Sequence, residues 1–392
     1  TLDPAFHAGA YYVQEASSML IIAALQQWIG TNKRPLKILD LCAAPGGKST
    51  LLSQLGSQHL IVSNEVIKSR YTILKENLQR WGTLNKVLTN HDVADFAPLA
   101  GFFDIVVVDA PCSGEGLFRK DAAASQHWST DAVAQCSSRQ RRILAGAQAL
   151  VKPNGILLYC TCTYNQKENI ENVKWLQESF DLENLDCTLP PNWGITTIES
   201  ASNKGYQCYP HRVRGEGFFF SGFRQRNTHE YEATRSKKNR RASNTTATLS
   251  KKEQEKIDAL LPDSSDLQFF TNHKQHIAAI ARHWWISIQQ LISHLRTYEI
   301  GLTIGEWKQK GLIPHHELAL AAQLRHTYPT LSVERATALR FLKKETITVD
   351  TARTGWHTVS HENHCLGWSK VLPRRINNYL PKHWRIRMNL DT

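Results

Sequence analysis

One stretch of fifteen residues, Leu36 to Thr50 (LKILDLCAAPGGKST), constrains this chain more than any other. Leu36, Ile38, Leu39 and Leu41 cluster as in a buried strand, and Ala43, Ala44, Pro45, Gly46 and Gly47 then strip out side-chain bulk. Lys48-Ser49-Thr50 opens a run that reads as helix. A strand, a small-residue turn and a helix start form the first unit of a doubly wound sheet. Such a turn lets backbone approach a ligand closely, and the free N–H groups at the helix start favour an anionic group. A second strand reads from Leu60 to Val66 and puts Glu65 at its tip, 19 residues after Gly46. A carboxylate there usually holds the ribose hydroxyls of a nucleoside. The G-x-G-x-x-G spacing is absent, so a nicotinamide dinucleotide loses its main support. The same small residues also serve plain tight packing.

The rest of the first half keeps the rhythm. Val13 to Trp28 and Tyr71 to Trp81 read as amphipathic helices, and Lys86 to Thr89 as a third strand that ends near Asp92. Phe103 to Asp109 (FDIVVVD) and Gly155 to Tyr159 (GILLY) are central strands, separated by a helix through Leu144 to Leu150. Gly217 to Phe223 (GFFFSGF) reads as a late antiparallel strand covering the sheet. This alternation predicts an α/β fold with a mostly parallel sheet. Residues 228–256 turn polar and basic and read as a linker. Residues 257–392 recover apolar content with many tryptophans. The plan is therefore 1–227, a linker over 228–256, and a C-terminal region over 257–392.

Charge divides along the same line. Residues 1–229 carry a net +2 and residues 230–392 a net +10 of the total +12, which points to a catalytic body and a polyanion-holding arm. The closing GWSKVLPRRINNYLPKHWRIR interleaves cations with rings, suited to phosphate contact and base stacking. A small β-rich domain with a snorkelling basic surface would look the same. No apolar run is long enough to span a membrane. The eight cysteines contain no C-x-x-C pair, so neither a zinc site nor a disulfide framework is expected, and a reducing cytoplasm suits them. The chain opens on Thr1 and holds only two methionines, Met19 and Met388, as a trimmed or processed chain would.

Two more stretches fall at the carboxyl ends of central strands, where open α/β sheets place their sites. They are Asp109-Ala110-Pro111-Cys112-Ser113-Gly114-Glu115-Gly116 and Tyr159-Cys160-Thr161-Cys162-Thr163-Tyr164. A lone cysteine is usually a small buried hydrophobe, but two beside one ligand turn call for another reading. Together LDLCAAPGGKS, DAPCSGEG and YCTCTYNQKEN resemble the signature of the Sun/nucleolar-protein family of RNA cytosine carbon-5 methyltransferases. AGAYYVQEASS and PHRVRGEGFFF resemble it too, so the likeness runs in order over about residues 4–224. The tail resembles the PUA-like RNA-binding ending of the bacterial 16S ribosomal RNA branch, which normally carries a small extra domain ahead of this segment.

The resemblance implies a Rossmann-like, S-adenosylmethionine-dependent methyltransferase sheet followed by a smaller α+β, β-rich PUA-like region. It assigns the nucleophile to Cys162 and release of the covalent adduct to Cys112. The opposite assignment is also chemically sensible, because Pro-Cys attacks in DNA cytosine methyltransferases. Cys160 reads as packing. Asp109 is the candidate partner for cytosine N3, and Lys48 would orient it or lower a neighbouring thiol pKa. Cys42, Ala43, Ala44, Pro45, Gly46, Gly47 and Lys48 would hold the methionine part of the cofactor. Glu65 would hold the ribose and Asp92 the adenine, while Asp109 borders the sulfonium. No metal is expected. The implied partner is RNA, 16S ribosomal RNA or the small subunit, with a monomer as the expected state. Transfer RNA is the rival substrate, and a non-catalytic RNA-binding or ribosome-assembly factor the rival class.

Overall fold

A computed structural model describes residues 1–31, 34–120, 125–126, 128–200, 203–226, 247–296, 298–324, 326–351 and 353–389. Its centre is a ten-stranded sheet. The first five strands are β1 (Lys37–Asp40), β2 (Leu60–Asn64), β3 (Lys86–Thr89), β4 (Phe103–Asp109) and β5 (Val151–Thr161). They lie parallel in the order β3-β2-β1-β4-β5. Chain direction across the sheet reverses between β1 and β4, and the crevice beyond their carboxyl ends is where such sheets bind ligands. Period-two alternation splits the strand residues between two cores. Leu39, Val62, Val106, Val108 and Leu157 face one side; Ile38, Ile61, Ile105, Val107 and Leu158 face the other. Both faces are buried, which is why these strands read as continuous apolar runs.

Beyond β5 the sheet turns antiparallel. β6 (Leu182–Leu185), β7 (Thr196–Ser200), β8 (Asn203–Cys208) and β9 (Phe218–Gln225) follow, with β9 hydrogen-bonded between β5 and β8. The expected late strand is therefore within the sheet and does not cover it: Phe219 faces one core and Phe220 the other. The expected helix over Val13 to Trp28 is also shorter. A 3₁₀ turn at Ser17–Met19 leads into a helix over Leu20–Ile29, because Glu15 accepts the amides of Ser17 and Ser18 and holds the residues before them outside it.

The C-terminal half forms two smaller sheets. β10 (Ala247–Thr248), β11 (Leu267–Thr271), β12 (Ile277–Ala281), β14 (Leu302–Lys308) and β15 (Gly311–Pro314) make one; β16 (Thr330–Ser332), β17 (Gly355–His361), β18 (His364–Leu372) and β19 (Arg375–Asn378) make the other. The segment read as a linker lies outside the described residues as far as 246. Its last part is ordered: Ser250 and Glu253 form a capping box that starts a helix over Lys251–Leu260. The boundary near 257 is also crossed. β13 (Tyr298–Ile300) pairs antiparallel with β3 at the edge of the large sheet, and Ile280, Trp284, Ile288 and Leu291 complete one of its cores.

Several residues pin the halves together. Arg80 places its guanidinium over Phe6 (5.1 Å) and over Trp384 (5.2 Å), joining the two ends of the chain to the helix Lys68–Trp81. Gly82 ends that helix at φ 71°, where a Cβ would stand 2.6 Å from the Leu320 carbonyl, so only glycine fits. Trp368 and Trp384 are buried in this packing, so neither is a free stacking surface for a base. Lys86 and Glu317 form a buried pair at 3.5 Å, in which Lys86 also donates to the Leu78 carbonyl and Glu317 accepts the Thr303 amide. Removing one charge from such a pair strands the other. Lys86→Ala or Glu317→Ala is expected to lower stability by about 3–5 kcal/mol, and Lys86→Met with Glu317→Leu by much less; urea unfolding of the four proteins measures this.

Candidate active site

The site is built on the turn after β1. Gly46, at φ 116°, turns the chain into the helix Gly47–Ser53. The turn is held from outside: Arg70 donates to the Ala44 carbonyl (2.7 Å), Asn77 to the Pro45 carbonyl (2.8 Å), and Gln14 to the Gly47 carbonyl (2.8 Å) and Thr50 hydroxyl (2.9 Å). Gln14 lies within AGAYYVQEASS but carried no role there, Arg70 and Asn77 lie outside the motifs, and sequence reasoning left Arg70 unassigned. Asn64 ties the strand tips, donating to the Leu41 and His91 carbonyls.

An open cleft of about 980 Å³ lies over this turn. Cys42, Ala43, Ala44, Pro45, Gly47, Lys48, Asp109, Cys112 and Cys162 all line it, so most of the sequence-assigned residues meet in one place. Gly46 and Glu65 stand behind the wall. Glu65 is buried; its Oε1 accepts the Ile67 amide, and its Oε2 has no hydrogen-bond partner and lies 3.6 Å from Arg70. Asp92 is placed differently. Its carboxylate caps the 3₁₀ helix Val93–Leu99 and takes a fork of bonds from Arg142, which hold it below the usual carboxylate range.

Lys48 donates to Asp109 Oδ2 at 2.8 Å. Burial pushes the Lys48 ammonium down, but Asp109, Cys160 and Asp40 together outweigh burial and the net shift is upward. Burial raises the thiols of Cys42 and Cys160, and Cys160 is fully buried in the core.

Cys112 follows β4 and Cys162 follows β5, and their sulfurs meet at 3.2 Å. The two sulfurs share one hydrogen bond, which lowers Cys162 and, together with burial, raises Cys112. One thiolate is thus favoured at Cys162, with a proton waiting on its neighbour. The two loops touch closely because of Gly116: its amide donates to the Cys162 carbonyl (2.8 Å), and a Cβ there would stand 2.7 Å from that oxygen. Two buried carboxylates missing from the sequence reading, Glu115 and Glu168, join the loops further. Glu115 accepts the amides of Tyr164 and Asn165; Glu168 accepts the amide of Ser113. Both stood inside quoted motifs, yet nothing in their spacing marked them. Arg119, Lys120 and Arg214 give the cleft a basic lip. No cluster that would hold a metal ion occurs among the described residues.

A nucleoside-sized cleft at the reversal point of the sheet, with two thiols and a paired aspartate in its wall, defines a group-transfer site for a nucleotide substrate. Comparison with known proteins agrees. The family described as 16S rRNA methyltransferase RsmB/F matches residues 30–224, and the methyltransferase RsmF PUA domain matches residues 328–386. Ribosomal RNA small subunit methyltransferase F of Aeromonas salmonicida (strain A449) is 33% identical over 386 residues, covering 96% of this chain and 79% of that protein. The protein of the same name from Enterobacter sp. (strain 638) is 30% identical, covering 96% and 77%. The solved structure of NSun6 from Pyrococcus horikoshii is 28% identical at a TM-score of 0.48, over 57% of this chain and 55% of that one. The chain belongs to the RsmB/F family of S-adenosylmethionine-dependent RNA methyltransferases.

Asp40, beneath the turn, yields a solution test. It is fully buried, accepts from Ser49 at 2.7 Å through Oδ2, and has no partner at Oδ1; burial pushes its carboxyl up to about 7. The folded protein therefore keeps a proton that the unfolded chain releases near pH 4. Stability contributed by this group falls as pH rises from about 4 to 7, by up to about 1.4 kcal/mol per pH unit. Asp40→Asn is expected to remove that slope, read as the urea midpoint between pH 5 and 7.

Proposed function

We propose that this chain methylates carbon 5 of a cytosine in small-subunit ribosomal RNA, through a transient bond from Cys162 to carbon 6 of the base. The observation that carries the reading is the contact of Cys162 with Cys112 beside Asp109, all in the wall of one cleft. Relatives named ribosomal RNA small subunit methyltransferase F favour this RNA over transfer RNA. The basic lip of Arg119, Lys120 and Arg214 suits its phosphates.

The residues present fit S-adenosylmethionine. The buried, unpartnered Oε2 of Glu65 needs a hydroxyl donor such as a ribose supplies. Cys42 to Pro45, Gly47 and Lys48, with little side-chain bulk among them, would form the wall for the methionine part, and Asp109 would border the sulfonium. The resemblance gives the adenine to Asp92, whose carboxylate here caps the helix Val93–Leu99 and pairs with Arg142. When bound, the cofactor supplies an electrophilic methyl group.

Carbon 5 of cytosine is a weak nucleophile, and the protein has to make it a stronger one. The Cys162 thiolate adds to carbon 6, forming the S–C6 bond and shifting electron density towards carbon 5. Ring N3 offers only a lone pair, so Asp109, oriented by Lys48, would bring a proton to it, and the hydrogen bond between them would strengthen as negative charge develops on the ring. Once carbon 5 is methylated, its proton is lost to a base, the S–C6 bond breaks and Cys162 leaves as thiolate. Cys112, whose sulfur touches that of Cys162, would assist the departure. The target base must leave its stack to reach the cleft, so a flipped or single-stranded cytosine is the substrate form. We read the protein as a monomer, and its eight cysteines, none of them in a disulfide, suit a reducing cytoplasm.

Incubation with tritiated S-adenosylmethionine and small-subunit RNA from cells lacking the enzyme, then nucleoside analysis, tests the reading. Label in 5-methylcytosine that disappears in Cys162→Ala is expected. Cys112→Ala is expected to hold a protein–RNA species that survives a denaturing gel. Label in another nucleoside would overturn the reading, and normal product release by the Cys112 variant would overturn the division of roles. No detectable binding of S-adenosylmethionine would favour the non-catalytic assembly factor, whereas binding with no label in naked RNA would point to the assembled subunit as substrate.

A further inference from the structure

Glu115 and Glu168 occupy reciprocal positions. Glu115 belongs to the loop after β4, which carries Cys112, and its carboxylate reaches into the loop after β5. There Oε2 accepts the Thr163 hydroxyl (2.6 Å) and the amides of Tyr164 (2.7 Å) and Asn165 (2.9 Å). Its Oε1 accepts from Trp128 (2.8 Å) and the Asn165 side chain (3.1 Å). Glu168 belongs to the second loop and reaches back. It accepts the Ser113 amide next to Cys112 (3.0 Å), Gln140 (2.7 Å) and the Asn165 side chain (2.7 Å). Each loop thus supplies the acceptor for the other loop's amides, one residue from Cys112 on one side and two residues from Cys162 on the other.

Such an arrangement is costly unless it is needed. Both carboxylates are almost wholly buried, Glu115 at 6% and Glu168 at 0% exposure. Burial alone would raise the Glu115 carboxyl, yet its five donors outweigh burial and hold it below the usual range, hence ionised. Charge-assisted bonds to backbone amides are short and directional, so the pair fixes the separation of the two loops. Glu168 is itself fixed from behind: Tyr159 and Asn172 both donate to its carbonyl. No acceptor other than a carboxylate takes three donors on one oxygen and two on the other.

We propose that Glu115 and Glu168 are positioning residues, a reciprocal carboxylate clamp that holds the Cys112 and Cys162 sulfurs in contact. Neither is placed to touch substrate; both act through the thiols. The proposal rests on the reading of those two cysteines as the reacting pair. Its test needs neither RNA nor cofactor, so failure of one is distinguishable from failure of the other.

The probe is diamide, a diazene that oxidises two adjacent thiols to a disulfide and is reduced to the hydrazine. The rate at which it closes Cys112 onto Cys162, mapped by peptide mass spectrometry on the pre-reduced protein, reports sulfur–sulfur proximity. A role in stability alone would not move this rate in a protein that remains folded. Glu115→Gln and Glu168→Gln keep size but turn one acceptor into a donor facing donors; each is expected to slow closure at least threefold. Glu115→Asp, which keeps the charge but retracts the oxygens, is expected to slow it by a similar factor. Glu178→Gln, in an exposed ion pair with Lys174, is the control and should close at the parental rate. The clamp is overturned if the glutamine variants keep the parental melting temperature and close at the parental rate. Slowed closure in the Asp variant but not in either Gln variant would equally contradict it, since side-chain length rather than the carboxylate and its bonds would then set the contact.

Discussion

The chemistry proposed for this protein depends on a contact between two loops that the chain reaches fifty residues apart. Cys112 and Cys162 leave neighbouring parallel strands, β4 and β5, and their sulfurs meet at 3.2 Å. Strand pairing brings the loops near each other; it does not bring sulfur to sulfur. That last step needs Gly116, whose missing side chain lets its amide reach the Cys162 carbonyl, and the two buried glutamates. The contact shifts the two thiols in opposite directions, Cys162 down and Cys112 up, and the proposed division of roles between them rests on that inequality.

The large sheet is the frame for this contact, and it is stiff because both faces are covered. The Phe219–Phe220 alternation in β9 sends one ring to each core, so the antiparallel end of the sheet is locked as firmly as the parallel end. The cover on one face comes partly from beyond residue 260, through Trp284, Ile288 and Leu291. The methyltransferase unit and the basic half of the chain therefore share a core and are not beads on a string. Arg80, between Phe6 and Trp384, and the buried Lys86–Glu317 pair make the same point with charged groups. An RNA held by the C-terminal half would meet a cleft whose orientation is fixed.

Much of this was legible in the sequence, for identifiable reasons. β1, β4 and β5 are buried on both faces, and such strands write themselves as apolar runs. The turn Cys42–Lys48 was legible because its lack of bulk has few other uses beside a strand end. The two cysteines were legible through their setting, after core strands in quoted motifs. What stayed hidden depends on contacts distant in sequence. Glu115 and Glu168 look like solvated acids until the loops are folded together, and Arg70, Gln14 and Asn77 acquire meaning only through carbonyls 26 to 33 residues away. The capping box at Ser250–Glu253 was a readable signal lost in a polar neighbourhood. Trp368 and Trp384 misled in the opposite direction, because aromatic and basic residues interleaved in sequence look the same whether the rings face a base or a core.

The central claim is that Cys162, and not Cys112, is the sulfur that attacks. A small-subunit RNA fragment carrying 5-fluorocytidine at the target puts this directly, since fluorine at carbon 5 blocks the proton loss that elimination needs. Digestion of the stalled complex and mass spectrometry then identify the residue bonded to the base. The account predicts a single nucleotide-bearing peptide containing Cys162, formed at the parental rate in Cys112→Ala. A nucleotide on Cys112 in the parental protein would contradict it.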